Sequence, residues 1–167
     1  METKVNSASD TTSSLYETDF YAWTQEQAKL LQQGAWEHLD IVNLVDEIES
    51  LGKQQRQELR NRLGVLLGHL LKWEFQRNKR SKSWFITVRE QRREIRDILS
   101  ENPSLKPYLP EALEKAYQSG IDLAVRETPL TDKDFPVECP YPIECILDSH
   151  FFPGQPIESG QDWVVEN

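Results

Sequence analysis

The strongest constraint on the fold is a leucine stripe in the middle of the chain. Apolar side chains recur there at alternating steps of four and three residues, at Leu59, Leu63, Leu66, Leu70 and Trp73. This spacing places them on one face of an α-helix, and other elements must cover that face to exclude water. A chain of 167 residues is long enough to close one hydrophobic core. The stripe therefore predicts a helical protein with a long central helix.

Capping residues mark where the first two helices begin and end. Asp19 suits the N-terminus of a first helix, and Gly34 suits the left-handed residue that follows a helix. A second helical stretch begins near Asp40 and contains the leucine stripe. Because a mid-helix glycine costs only about 1 kcal/mol relative to alanine, the sequence leaves open whether Gly52 breaks this stretch or only kinks it.

Two further helices are predicted, one on each side of Pro103. Ser83 is placed to cap the third helix, which ends before this proline, and Pro110 opens the fourth at a first-turn position. The apolar face of the third helix comprises Trp84, Val88, Ile95, Ile98 and Leu99, and that of the fourth comprises Leu113, Ala116, Tyr117, Gly120, Ile121 and Ala124. No segment alternates apolar and polar residues between turn signals, so no sheet is expected.

Together these elements predict an all-α fold, a helical bundle of about four main helices around a long central helix. A proline-rich C-terminal segment, with one short helix near residues 143–149, packs across it. We expect a disordered tail over residues 1–14, a single helical domain over 15–153 and a C-terminal tail over 154–167. Gly64 and Gly68, one turn apart, predict close approach of a second helix in the core rather than dimerisation.

Charge is distributed in three blocks along the chain. Residues 1–52 contain two basic and ten acidic residues. Residues 53–96 contain thirteen basic and four acidic residues, and residues 97–167 contain four basic and fourteen acidic residues. The formal net charge of −9 therefore combines a basic middle with two acidic flanks. An acidic chain as a whole repels nucleic acid and anionic membranes, so the basic middle is the one region where an anion could bind.

The basic middle contains a candidate anion-binding site. Arg89, Arg92, Arg93 and Arg96 fall at i, i+3, i+4 and i+7, which predicts one stripe about 120° from the apolar face of the third helix and open to solvent. Arginine forks and a serine-rich helix start are good donors for phosphate. The candidate residues are Arg77, Lys79, Arg80, Lys82, Ser83, Arg89, Arg92, Arg93 and Arg96.

The alternative, which we favour at this point, is that these charges pair inside the molecule. Possible partners lie on helices that must pack nearby or on the third helix itself; they are Asp46, Glu47, Glu49, Glu90, Glu94, Asp97, Glu111 and Glu114. Asp46 and Glu49 share one helix face and could pair with the arginine stripe or hold a cation. Pairing is favoured, because no metal-ligand pattern accompanies them.

The residues form no recognised catalytic or metal-binding motif. The spacing between Cys139 and Cys145 exceeds that of usual zinc sites, even with His150 nearby, so we interpret both cysteines as packing thiols. We interpret His69, in the same helix as the leucine stripe, as a hydrogen-bonded core or boundary histidine. We therefore predict no metal and no cofactor, and catalysis has no support in the sequence.

The same residues favour a cytoplasmic location. No apolar run approaches the roughly 20 residues of a membrane span, and the first residues carry no signal-peptide pattern. Two cysteines are too few for the disulfide framework of a small secreted domain. We expect no association with a membrane.

Five segments resemble a known family. They are LYETDFYAW (15–23), IVNLVDEIESLG (41–52), LLGHLLKW (66–73), RSKSW with REQRREI (80–95) and FPVECPYPIECILDSHFFP (135–153). In collinear order they resemble the uncharacterised family called domain of unknown function 29. The resemblance implies an all-helical bacterial protein of a kind abundant in cyanobacteria, and brings no established activity or ligand. The motif residues to test first are Asp46, Glu47, Glu49, His69, Trp73, Arg80, Ser81, Ser83, Trp84, Arg89, Gln91, Arg92 and Arg93.

From the sequence we favour a non-catalytic protein-interaction or adaptor module. An anion-binding or nucleic-acid-binding protein that uses residues 77–96 is the second reading, and an enzyme with an unrecognised site is the third. The identity of a protein partner stays open, as does homo-oligomerisation. Nucleic acid is a less favoured ligand, because the acidic flanks repel it.

Overall fold

The architecture is entirely helical across the described residues. A computed structural model describes residues 15–154, and it contains no strand within that range. This confirms the all-α prediction. The predicted N-terminal tail lies outside the described residues, and so does the predicted C-terminal tail apart from Gly154. None of the helices between residues 15 and 154 has the length and apolar character that a membrane span needs.

The described residues form two compact units, 15–54 and 55–154. The first contains a helical turn at residues 15–18, α1 (Phe20–Gln33), a 3-10 turn (Trp36–His38) and the start of α2 (Ile41–Phe75). The second contains the rest of α2, then α3 (Lys82–Glu101), α4 (Leu109–Glu127) and α5 (Ile143–Leu147), with 3-10 turns at Arg77–Lys79, Pro103–Tyr108 and Asp132–Asp134. The single domain over residues 15–153 stays a prediction.

The first unit confirms both caps of α1. The Asp19 carboxylate accepts a hydrogen bond from the backbone N–H of Ala22 at 3.0 Å, and Gly34 ends the helix with a φ of 69°. Inside the unit, the Trp23 indole donates to the Asp40 carboxylate at 3.2 Å, and the side-chain oxygen of Gln27 accepts from the Asp40 N–H at 2.9 Å. These bonds hold α1 against the start of α2.

The long helix α2 runs for 35 residues without a break, so Gly52 does not interrupt it. Its leucine stripe is fully buried, as predicted, and lies in the second unit. The stripe packs against Val88 and Ile95 of α3 and against Ala116 and Ile121 of α4. The C-terminal segment completes this core with Phe135, Tyr141 and Ile146, which confirms that the segment packs across the bundle.

The beginning of α3 differs from the prediction. Ser81, not Ser83, is the capping residue, and its hydroxyl accepts a hydrogen bond from the Trp84 N–H at 3.3 Å. Ser81 has the extended backbone that a cap requires, whereas Ser83 lies inside the first turn and is exposed. Phe85, three residues before Val88, is buried on the core face where Trp84 was expected, and Trp84 is only half-buried.

The predicted close approach of a second helix occurs between α2 and α4. A Cβ atom at Gly68 would lie 2.8 Å from the Leu123 Cδ2 and 3.0 Å from the Gly120 carbonyl oxygen. A Cβ at Gly64 would lie 3.2 Å from the Ser119 Cβ. Because one neighbour of Gly68 is backbone, the helices would have to separate to admit any larger side chain.

We expect Gly68→Leu to lower the free energy of unfolding by about 1–3 kcal/mol through overpacking. Gly68→Ala should lower it less, because only one carbon atom is added. Gly52→Ala is the matched control in the same helix, since a Cβ there meets nothing within 4 Å; it should raise stability by up to about 1 kcal/mol. Urea unfolding followed by circular dichroism measures all three, and a Gly68→Leu variant as stable as wild type would contradict this packing.

Candidate functional site: an arginine-lined cleft

An open cleft of about 400 Å³ lies between α3 and the segment that follows α5. It is lined by Ile86, Arg89, Glu90, Arg92, Arg93 and Arg96 of α3 and by Ser149 and His150. The structure therefore brings the four arginines of the predicted stripe to one cleft. It adds two residues, Ser149 and His150, that were not among the candidate residues.

Arg92 corrects the prediction that the whole stripe faces solvent, because this side chain is buried, with the residue 1% exposed. Its Nε donates to the Ile146 carbonyl at 2.8 Å and its Nη2 to the Phe151 carbonyl at 2.6 Å, while Nη1 lies 3.4 Å from the Ser149 carbonyl. Arg92 follows Val88 by four residues and therefore shares its buried face. The planar guanidinium suits several acceptors at once, so Arg92 ties the C-terminal segment to α3.

Arg92 stays charged although it is buried. The pKa of Arg92 is lowered to about 10, mainly by burial; the Asp148 carboxylate raises this pKa and the nearby positive charge of Arg96 lowers it, and both effects are smaller than that of burial. A pKa of about 10 still leaves the guanidinium protonated at neutral pH. The wall of the cleft therefore carries a fixed positive charge.

The other arginines of the cleft are exposed and only partly neutralised. Arg93 lies 3.3 Å from the carboxylate of its neighbour Glu94. No carboxylate between residues 15 and 154 lies within ion-pair distance of Arg89 or Arg96. Since Glu90 is the single acidic residue among the lining residues, the cleft has an excess of positive charge.

A tight turn brings His150 to the cleft. The Asp148 carboxylate accepts from the His150 backbone N–H at 2.9 Å, and this bond is the main cause that lowers the pKa of Asp148. The Ser149 hydroxyl lies 3.3 Å from the His150 Nδ1, and the same Nδ1 lies 3.4 Å from the Asp148 carboxylate. Because both groups approach one ring nitrogen, this trio lacks the two-sided contact of a catalytic triad.

The remaining basic candidates lie outside this cleft. Arg80 donates from Nε to the Trp73 carbonyl at 2.7 Å and from Nη2 to the Pro153 carbonyl at 3.3 Å, and its guanidinium lies over the Trp73 ring. Arg77 and Lys79 lie in the 3-10 turn before α3, and Lys82 and Ser83 lie exposed in its first turn. The predicted basic segment, residues 77–96, thus divides into two groups. The four arginines of α3 line the cleft, and the basic residues at positions 77–82 lie between α2 and α3 or in the first turn of α3, outside it.

A family model described as "Domain of unknown function DUF29" matches residues 15–152. The chain belongs to the DUF29 family. No curated protein and no solved structure matches it. The match confirms the resemblance found in the sequence and covers both α3 and the C-terminal segment, so the whole cleft lies within the DUF29 region.

A second polar group in this DUF29 domain surrounds His69. The His69 Nδ1 lies 2.9 Å from the Val65 carbonyl, and burial lowers the pKa of His69, which agrees with a hydrogen-bonded core histidine. Lys72, one turn further on, is buried; its Nζ lies 2.5 Å from the Glu127 carboxylate and 4.3 Å from the centre of the Trp84 ring. No local pattern predicts the burial of Lys72, because the carboxylate that pairs with it, Glu127, lies on α4.

The acidic candidates of the DUF29 domain lie at the start of α2. Glu47 accepts a hydrogen bond from the Tyr16 hydroxyl at 2.6 Å, and this bond is the main cause that raises the pKa of Tyr16 to about 12. Glu49 lies 3.7 Å from Lys53, one turn away, and Asp46 is exposed. The pairing of Asp46 and Glu49 with the arginine stripe stays a prediction.

The cysteines are placed as packing thiols would be. Cys139 and Cys145 are both free and half-buried, and Cys139 packs against the core. Burial raises the pKa of the Cys139 thiol. Across the described part of the chain, no three or more His, Cys, Asp or Glu side chains are grouped so that they could hold a metal ion.

Proposed function

We propose that this DUF29 protein binds a small phosphate-bearing anion in the arginine-lined cleft. The observation that carries the proposal is that Arg89 and Arg96 line an open cleft without a carboxylate partner among the described residues. Guanidinium groups donate paired hydrogen bonds to phosphate oxygens. A volume of about 400 Å³ lies within the range of small-molecule sites.

The charge of the flanking sequence favours a small ligand over nucleic acid. Residues 1–52 contain ten acidic and two basic residues, and residues 97–167 contain fourteen acidic and four basic residues. The acidic chain as a whole repels a long polyanion, whereas a small anion needs to contact only the cleft.

The protein-interaction role that the sequence favoured would use another surface, because five of the eight residues that line the cleft are charged. It stays a prediction, together with the cytoplasmic location. Anion binding and protein interaction are compatible, since they would use different residues.

The test is isothermal titration calorimetry of the full chain with inorganic pyrophosphate at about 50 mM salt, where phosphate contacts are strongest. Wild type should bind, and Arg89→Gln with Arg96→Gln should weaken binding at least about tenfold, since hydrogen bonds to charged groups contribute about 1.5–3 kcal/mol each. The matched control is Lys106→Gln with Lys133→Gln. It removes the same charge from exposed positions outside the cleft and should leave affinity unchanged.

Two results would contradict the proposal. Absence of pyrophosphate binding would reject the site, and equal weakening in both double variants would assign binding to the overall charge. A single-stranded oligonucleotide serves as a second probe. If it bound more tightly than pyrophosphate and lost affinity with the cleft variant, the ligand would be nucleic acid rather than a small anion.

A further inference from the structure

The first turns of α2 carry an exposed apolar stripe formed by Ile41, Val45 and Ile48. These residues follow each other at steps of four and three, so they share one helix face. They are 55%, 49% and 66% exposed. Single exposed apolar residues are common, but a contiguous patch of them is typical of an interaction surface.

Other apolar side chains of the same unit are also exposed. They are Phe20, Tyr21, Leu31, Trp36, Val42 and Leu51. By contrast, Trp23 and Gln27 are the only fully buried residues of α1. The first unit therefore leaves much of its apolar surface uncovered. By contrast, the side chains of Asp40 and Glu47 have hydrogen-bond partners within the unit.

We infer that the Ile41–Val45–Ile48 stripe docks a basic amphipathic helix of a partner protein. Helix recognition uses apolar anchors at i, i+3 or i+4, and i+7, which is the spacing that this stripe presents. Glu49 lies about 80° around the helix from Ile41, on the basis of 100° per residue, and its carboxylate is 3.7 Å from the Lys53 Nζ. The surrounding sequence is acidic, because residues 15–52 contain eight acidic residues and one basic residue. Lysine or arginine side chains on the partner would complement this charge.

The chain itself offers no occupant of matching chemistry. Residues 1–14 contain no apolar run, and residues 155–167 contain three acidic residues and no basic one, so they have the same sign of charge as residues 15–52. A second copy packed on the same stripe would bring together two acidic segments of the same composition, and like charges repel. A basic partner avoids this repulsion. The inference is independent of anion binding, because it uses other residues.

The test uses a labelled synthetic peptide of leucine and lysine, with its leucines on one helix face, titrated with the full chain and followed by fluorescence anisotropy. Wild type should bind it. Val45→Ser combined with Ile48→Ser should weaken binding at least about tenfold, because two apolar anchors that the bound peptide would cover are lost. Val137→Ser is the matched control, since Val137 is 96% exposed in the other unit, and it should bind like wild type.

Charge is tested with a leucine–glutamate peptide of the same spacing, which should not bind, and with Glu49→Lys, which should weaken binding of the lysine peptide. Equal binding of both peptides, or unchanged binding by the Val45→Ser/Ile48→Ser variant, would overturn the inference. Sedimentation provides a third readout. A wild-type dimer that dissociates in the Val45→Ser/Ile48→Ser variant would identify a second copy as the occupant and would also overturn it.

Discussion

Replacing Arg92 by methionine is expected to lower the free energy of unfolding by about 3 kcal/mol. The substitution removes the donors that serve the carbonyls of Ile146, Ser149 and Phe151. A polar group left without a partner in the interior costs about 1–3 kcal/mol, and removing a buried charge offsets part of that loss. Urea unfolding measures the effect.

Arg96→Met is the matched control, because Arg96 lies one helical turn away, is exposed and has no such carbonyl partner among residues 15–154. It should change stability by no more than about 0.5 kcal/mol. Arg92→Lys should recover only part of the loss, since one ammonium group cannot reach three acceptors in the geometry of a guanidinium. An Arg92→Met protein as stable as Arg96→Met would show that Arg92 does not hold the C-terminal segment.

Replacing Glu127 by alanine should lower the free energy of unfolding by about 2–3 kcal/mol. The Lys72 side chain is only 2% exposed, so without Glu127 its ammonium group would be buried without a counter-charge. Breaking a fully buried pair costs about 3–5 kcal/mol; the expected value is lower because Glu127 itself is 42% exposed to water. Lys72→Met with Glu127→Ala should recover most of the loss, since no buried charge remains. A Glu127→Ala protein as stable as wild type would contradict a stabilising pair.

The same pair predicts a pH dependence. The hydrogen bond from Lys72 is the main cause that lowers the pKa of Glu127 below its ordinary value of 4.5. The pair therefore stabilises the fold above pH 4.5, and this contribution is lost as the pH falls through the lower pKa of the folded state. Urea unfolding at pH 7 and in acid should show the difference between wild type and Glu127→Ala shrinking in acid. A difference that did not change with pH would assign the loss to packing.

The helices could be predicted because their signals are local. Asp19, Gly34 and Pro110 act on the backbone within a few residues of themselves, and the leucine stripe depends only on the repeat of the helix. The capping residue of α3 was predicted wrongly because two similar side chains lie near its start. Ser81 and Ser83 both have hydroxyl groups, and only the backbone angles at Ser81 determine which one caps the helix.

The candidate site was also predictable only in its local part. The spacing of Arg89, Arg92, Arg93 and Arg96 identified the helix that lines the cleft, because residues three and four apart share a helix face. Their different environments depended on the segment after α5. It buries Arg92 under three carbonyls and places His150 beside the exposed arginines.

The order of the residues by itself therefore determined the helices, the caps of α1 and the charge blocks, since each follows from neighbours within a turn or two. Only the tertiary structure decided that Arg92 is a buried tie, that Lys72 pairs with Glu127 and that Arg89 and Arg96 line an open cleft. These contacts join residues more than fifty positions apart in the chain. Periodicity within one helix contains no information about which distant segment will cover it.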